Sequence, residues 1–176
     1  MFTEGLKMNI AVIGFKGTGK TAVCRLLAAN MGKKLISTDD ETMSKLKGGI
    51  GKFVKKNGVE KLRELESNII EDISNFDDCV FDVGCDIVIR NENVISLKKS
   101  SLIVLLTSDI KKIKERIRDD KWISELSMGK PNGMIDILSN YEAKCKKAAD
   151  YIIDTSKLSP EEVCSLVMHY AQMEIQ

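Results

Sequence analysis

The chain predicts an α/β domain, a mainly parallel sheet with helices on both faces, and three observations carry that expectation. Five short runs are nearly continuous in apolar residues, as in strands buried on both sides. Longer segments of helical period alternate with those runs. A glycine-rich turn follows the first run directly and leads straight into a helical segment.

In chain order, the first strand is expected at Asn9 to Ile13, followed by the turn beginning at Gly14. Lys20 to Met31 reads as a helix with Val23, Leu26, Leu27 and Asn30 on one side. Leu35 to Thr38 is the second strand candidate. Val59, Leu62, Leu65, Ile69, Ile73 and Phe76 then recur at three and four positions, the spacing of an amphipathic helix of about four turns. Cys79 to Val83 and Ser101 to Thr107 are the third and fourth strands, and Tyr151 to Asp154 the fifth. Asp109 to Asp119 reads as a helix with a basic exposed side. The last helix starts at Ser159, a good N-cap, with Pro160 in the first turn beside Glu161 and Glu162. Lys121 to Gly133, with Gly129, Pro131 and Gly133, has little pattern and is expected to form a mobile lid.

Composition narrows the classes of function. The chain has 176 residues, 27 Lys and Arg against 26 Asp and Glu, and a net charge of +1. That size suits one domain over residues 1–176, with no repeat or linker to divide it. A balanced charge gives no overall field to draw the chain to nucleic acid or an anionic membrane, so no such partner is expected. No run approaches the ~20 apolar residues of a membrane span, and the amino terminus lacks the pattern of a signal peptide. The five cysteines form no CxxC pair and are odd in number. They are expected as free thiols in a reducing compartment, hence a cytoplasmic protein.

The chemistry begins at Gly14-Phe15-Lys16-Gly17-Thr18-Gly19-Lys20-Thr21, which fits GxxxxGK[ST] between a strand and a helix. In such a loop Gly14, Gly17 and Gly19, with Thr18 and Ala22, let backbone N–H groups close around phosphate oxygens. The helix that follows adds its own unpaired N–H groups and its positive dipole end. Lys20 reaches the terminal phosphates, and the Thr21 hydroxyl is placed to ligate Mg²⁺. ATP with Mg²⁺ is the expected ligand pair. Phosphate-loop proteins also need a carboxylate at the end of a neighbouring strand, and Asp82 ends Cys79-Val80-Phe81-Asp82. It is a candidate both for the metal and for orienting the attacking group; the alternative is a strand-end cap. No guanine-reading NKxD segment is present, and the chain is short for a transporter or motor ATPase, which leaves a compact kinase.

On these residues the chain resembles the shikimate kinase family, within the nucleoside monophosphate kinase-like P-loop fold. Ser37-Thr38-Asp39 stands where that family has Asp-x-Asp, and Leu62-Arg63-Glu64-Leu65-Glu66 is similar to its Phe-Arg-x-x-Glu stretch. Arg116 and Lys130-Pro131 are similar to its adenine-side arginine and the Arg-Pro of its lid. The resemblance implies a three-layer P-loop kinase with a five-stranded parallel sheet. It also implies that Asp39 hydrogen-bonds the acceptor hydroxyl, that Arg63 pairs with the acceptor carboxylate, and that Arg116 and Lys130 close over the nucleotide. Without the resemblance, Arg63 reads as an i,i+3 partner of Glu66 or Glu60, and Arg116 as part of a solvated helix face.

Four segments depart from the family pattern. Ser37 replaces its first acidic residue; Gly84-Cys85-Asp86 stands for a glycine triplet; Tyr141 stands where its second substrate arginine is expected; Lys130 replaces the lid arginine. Gly84, Cys85 and Tyr141 are thereby candidates for the acceptor site. The reading is an ATP-dependent kinase acting, as a monomer, on a hydroxyl of a small polar acid, with shikimate the acceptor that the resemblance implies. A kinase for another acceptor, such as a nucleoside monophosphate, and a nucleotide-binding regulator without transfer activity are the alternatives.

Overall fold

Side chains along a strand point alternately to its two faces, and a strand covered on both sides therefore feeds two cores. In β1 (Asn9–Gly14), Ile10 and Val12 join one apolar cluster while Ala11 and Ile13 join the other, all four with no exposed surface. The computed structural model describes residues 8–117 and 133–174. Within them β1 pairs in parallel with β3 (Cys79–Asp82) on one side and β4 (Ser101–Thr107) on the other. Strands β2 (Lys34–Ser37) and β5 (Tyr151–Asp154) form the edges, giving the order β2-β3-β1-β4-β5 with every pair parallel.

Two helices cover one face: α1 (Lys20–Met31) and α8 (Pro160–Met173). They bring Val23, Cys24 and Leu27, and Val163, Cys164 and Val167, against Ile10, Val12 and Val104. The opposite face is covered by α4 (Val59–Ile73), α5 (Asn91–Lys98), α6 (Ile110–Arg116) and α7 (Gly133–Ala148). Two further helices, α2 (Thr38–Lys45) and α3 (Gly49–Asn57), precede α4, and a 3₁₀ turn, Cys85–Ile89, follows β3. The result is the three-layer parallel α/β fold expected from the pattern of the chain.

Polar anchors fix the sheet. Asn9 is fully buried, accepts from the Cys79 N–H at 2.9 Å and donates to the Phe76 carbonyl at 2.6 Å, which ties the start of β1 to the start of β3. The Asp150 carboxylate accepts from the Ile103 N–H at 2.8 Å just before β5. At the carboxyl end of α7 and β5 the chain turns into α8 through a capping box. The Ser159 side chain accepts from Glu162 N–H, and the Glu162 side chain returns the bond to Ser159 N–H.

Several expectations are corrected. Thr38 opens α2 instead of ending β2, because Ser37 caps that helix by accepting from Asp40 N–H at 3.2 Å. The long helix ends at Ile73, so Phe76 lies beyond it in the turn to β3 and is 45% exposed. Asp109 is the N-cap of α6, not its first residue. Helices α2, α3, α5 and α7 are additions to the elements expected from the chain. Lys130 and nearly all of the expected lid lie outside the described residues, and Gly133 begins α7. Cys24, Cys79, Cys145 and Cys164 are buried free thiols. Among the described residues no helix is long and apolar enough to cross a membrane.

Candidate functional site

The carboxyl ends of β1, β3 and β2 lie side by side, since Val12 is the register partner of Asp82 and Asp82 that of Ser37. In a parallel α/β sheet this edge is where ligands bind. Gly14 ends β1 against β4, and a Cβ there would lie 2.5 Å from the Leu106 carbonyl oxygen, so only glycine lets the loop leave the sheet at this point. Thr18 tightens the turn through its N–H and hydroxyl, which both donate to the Phe15 carbonyl at 3.2 and 2.8 Å. The buried Thr155 hydroxyl, just past the end of β5, holds the Thr18 carbonyl at 3.0 Å. Gly19, in the left-handed region at φ 93°, is the N-cap of α1 and offers no side-chain cap, which leaves the first N–H groups of a 12-residue helix to an anion.

Lys20 and Thr21 stand on the first turn of that helix, with Ala22 beside them on its exposed side. The Thr21 hydroxyl donates to Asp82 Oδ2 at 2.7 Å, and Lys20 Nζ lies 3.9 Å from Asp82 Oδ1. Lys20 and Asp82 are only 12% and 10% exposed, so the ammonium and carboxylate face each other with little water between. One hydroxyl and one carboxylate are a fitting protein share for Mg²⁺, which keeps several waters and takes phosphate oxygens for the rest of its shell. No cluster of three or more metal-binding His, Cys, Asp or Glu occurs among the described residues.

Thr38, fully buried, couples β3 to α2. Its hydroxyl accepts from Gly84 N–H at 2.8 Å and donates to the Asp82 carbonyl at 3.4 Å. That bond sets the next residue, Asp39, over Gly84: a Cβ on Gly84 would collide with Asp39 Oδ1. Asp39 is open to solvent as a residue, yet its carboxyl group is packed on backbone. This desolvation is the main cause of a raised pKa; Lys20 opposes it, and Asp82, Asp40 and Asp86 add to it. Lys20, Thr21, Asp39, Asp82 and Gly84 thus form one group, spanning phosphate loop, metal-type ligands and a carboxylate suited to an attacking hydroxyl.

Arg63 stands on α4 at the edge of this group. Its Nη1 donates to Glu66 Oε2 at 2.8 Å, and its Nη2 lies 3.2 Å from Asp86 Oδ2 on the 3₁₀ turn that Cys85 begins. Burial works against its charge, but Glu66 and Asp86 outweigh that and raise its pKa. Burial likewise lifts the pKa of Glu66, against the pull of Arg63. Arg116 also reaches the site, its Nη1 donating to the Gly17 carbonyl at 2.9 Å, so it is not merely a solvated face.

Tyr141 is not brought to the acceptor side as a free group. It is 7% exposed on α7, packed edge-on to Phe15 with ring centroids 5.8 Å apart, within the core behind the phosphate loop. A tyrosine in an amphipathic helix is readily drawn inward by its ring. Two participants, Thr38 and Asp86, were not singled out as site residues from the chain. In the chain Thr38 is visible only as the middle of Ser37-Thr38-Asp39, and Asp86 only as part of the Gly84-Cys85-Asp86 departure on the acceptor side; their roles depend on contacts between distant segments.

Comparison with known proteins gives a consistent result. The family model described as shikimate kinase matches residues 16–172. The shikimate kinase of Caldicellulosiruptor saccharolyticus is 34% identical over 153 residues, 87% of this chain and 89% of that protein. That of Thermodesulfovibrio yellowstonii is 33% identical over 161 residues, 91% and 92% of the two chains. Among solved structures, the shikimate kinase from Acinetobacter baumannii in complex with shikimate superposes with a TM-score of 0.85 at 22% identity, over 96% of this chain and 94% of that one.

Proposed function

The chain belongs to the shikimate kinase family, and from that premise we propose that it transfers the γ-phosphoryl group of ATP to a hydroxyl of shikimate, giving shikimate 3-phosphate. The observation that carries the reading is the convergence of Lys20, Thr21, Asp82 and Asp39 at the carboxyl ends of three adjacent strands. Phosphoryl transfer asks little covalent chemistry of a protein and much positioning and charge stabilisation. In this reading Gly14, Gly17, Thr18, Gly19 and Ala22 cradle the phosphates, and Lys20 draws off the charge that builds on them. Thr21 and Asp82 would hold Mg²⁺, which would supply further neutralisation of the phosphate oxygens. Asp39, lying close over Gly84, accepts the hydrogen bond of the attacking hydroxyl and takes its proton, and its raised pKa brings it nearer the operating range of a base.

Arg63 is the acceptor-side cation in this reading, its planar fork suited to a carboxylate. Arg116, on the phosphate-loop carbonyl of Gly17, and Lys130 are read as nucleotide contacts. The chain is read as one domain acting as a monomer in the cytoplasm, a compartment in keeping with the buried cysteines outside any disulfide among the described residues.

A coupled assay of ADP release from Mg-ATP tests the reading, run with shikimate, other hydroxy acids and nucleoside monophosphates. Acceptor-stimulated release with shikimate, and not with the others, is the expected result. Release only with another acceptor, or nucleotide binding without stimulated turnover, would sink it.

A further inference from the structure

We propose that Asp86 sets acceptor affinity by occupying Arg63 in the free protein, as an internal competitor that the acceptor's carboxylate must displace. This rests on the transfer to shikimate proposed above. A guanidinium presents its donors as a flat fork, and a carboxylate ligand is gripped best when a free edge of that fork is available. In this chain one terminal nitrogen of Arg63 bonds Glu66 at 2.8 Å, and the other lies 3.2 Å from Asp86.

The two carboxylates differ in how firmly they are placed. Glu66 is one turn away on the same helix and 12% exposed along its side chain, so it reads as a fixed support that orients Arg63. Asp86 comes from a separate 3₁₀ turn and is 36% exposed, with water at hand to receive it if it swings away. One guanidinium between two carboxylates carries a net charge of −1, a poor greeting for an anionic acceptor. The field of Asp86 extends further: after burial and Lys20, it is among the carboxylates that push up the pKa of Asp39, and it raises that of Glu66 as well. Asp86 thus holds back Arg63 on this side of the site and adds negative charge beside the proposed base.

The test is steady-state kinetics of Asp86→Asn and Asp86→Gly with ATP and shikimate each varied. Removing a half-exposed ion pair should lower the KM for shikimate by about two- to fivefold. The change should appear in that KM rather than in kcat or the KM for ATP. In an Arg63→Ala background the same substitutions should do nothing, since there is no cation left to release. A shikimate KM that is unchanged or raised in both variants, with wild-type melting temperature, overturns the proposal. An equal fall in KM without Arg63 overturns it too, because the effect would then be a general field and not competition. Absence of wild-type turnover with shikimate overturns the acceptor reading together with this inference, whereas normal turnover with unaltered KM overturns the role of Asp86 alone.

Discussion

On the phosphate side, Lys20 and Thr21 stand at the head of a helix whose Val23, Cys24 and Leu27 are buried against the sheet. On the acceptor side, Arg63 stands on α4 beside α3, a helix with no buried residue at all, and is held by two carboxylates. The first region is preorganised by backbone and core: it can present a charge at a fixed point because the strand and helix bearing it cannot move independently. The second adds to a packed helix an ion pair between Arg63 and the partly exposed Asp86, which costs little to rearrange, beside the fixed pair with Glu66. A nucleotide is the same in every kinase, and its site tolerates rigidity. An acceptor site held by exchangeable charges can change its preference without disturbing the fold.

The comparison breaks first at the reacting centre. Asp39→Asn should cut kcat by about 10²–10⁴, the range for a lost general base. Because burial raises the pKa of Asp39, the acid limb of the wild-type kcat/KM profile should lie above that of an ordinary aspartate, and the variant should lack that limb. The stability sign runs the other way. A carboxyl group whose folded pKa is raised is penalised once ionised, so Asp39→Asn should be the more stable protein at neutral pH, the gain fading as pH falls through the folded pKa. Thermal melts at neutral and acid pH check this, and a variant less stable than wild type at neutral pH would contradict the desolvation of Asp39.

Lys20→Ala should reduce turnover by about 10²–10³ while leaving the melting transition in place, since the lysine faces the site and not the core. Full activity in that variant would remove the phosphate loop from the mechanism. Arg63→Lys keeps the charge but loses the fork; it should raise the KM for the acceptor about tenfold and leave the KM for ATP within twofold. Equal effects on both would mean that Arg63 acts on the whole cleft. In stability, the contrast between the regions should be plain in denaturant melts. Leu27→Ala, on the buried face of α1, should cost about 2–5 kcal/mol. Ile50→Ser, 42% exposed on α3, should stay within about 0.5 kcal/mol. A large loss for Ile50→Ser would show that α3 is packed against something in solution.

The same contrast governs what could be read from the amino acids. Ser101–Thr107 and Tyr151–Asp154 emerged with their observed bounds because a continuous apolar run is its own signal. Lys20–Met31 did so because the glycine loop marks its start. Lys20, Thr21 and Asp82 were found from a motif whose parts are local, or end an apolar strand. By contrast α2, Thr-Asp-Asp-Glu-Thr-Met-Ser-Lys, is almost wholly polar and buries only Thr38 and Thr42, so no periodicity announces it. Tyr141 was assigned to the acceptor site by alignment with an arginine, but the core claimed its ring. The contact of Asp86 with Arg63 joins residues on separate elements and has no signature within either segment.

Ser37 stands at a junction of two roles. It is the register partner of Asp82 and at the same time the cap of α2, its hydroxyl taking the Asp40 N–H. Aspartate caps a helix about as well as serine does. Exchange between the two at this position therefore leaves α2 intact while adding or removing a carboxylate next to the metal-type ligands. Drift could pass through here in either direction unopposed by folding, and selection on turnover alone would decide which residue stayed.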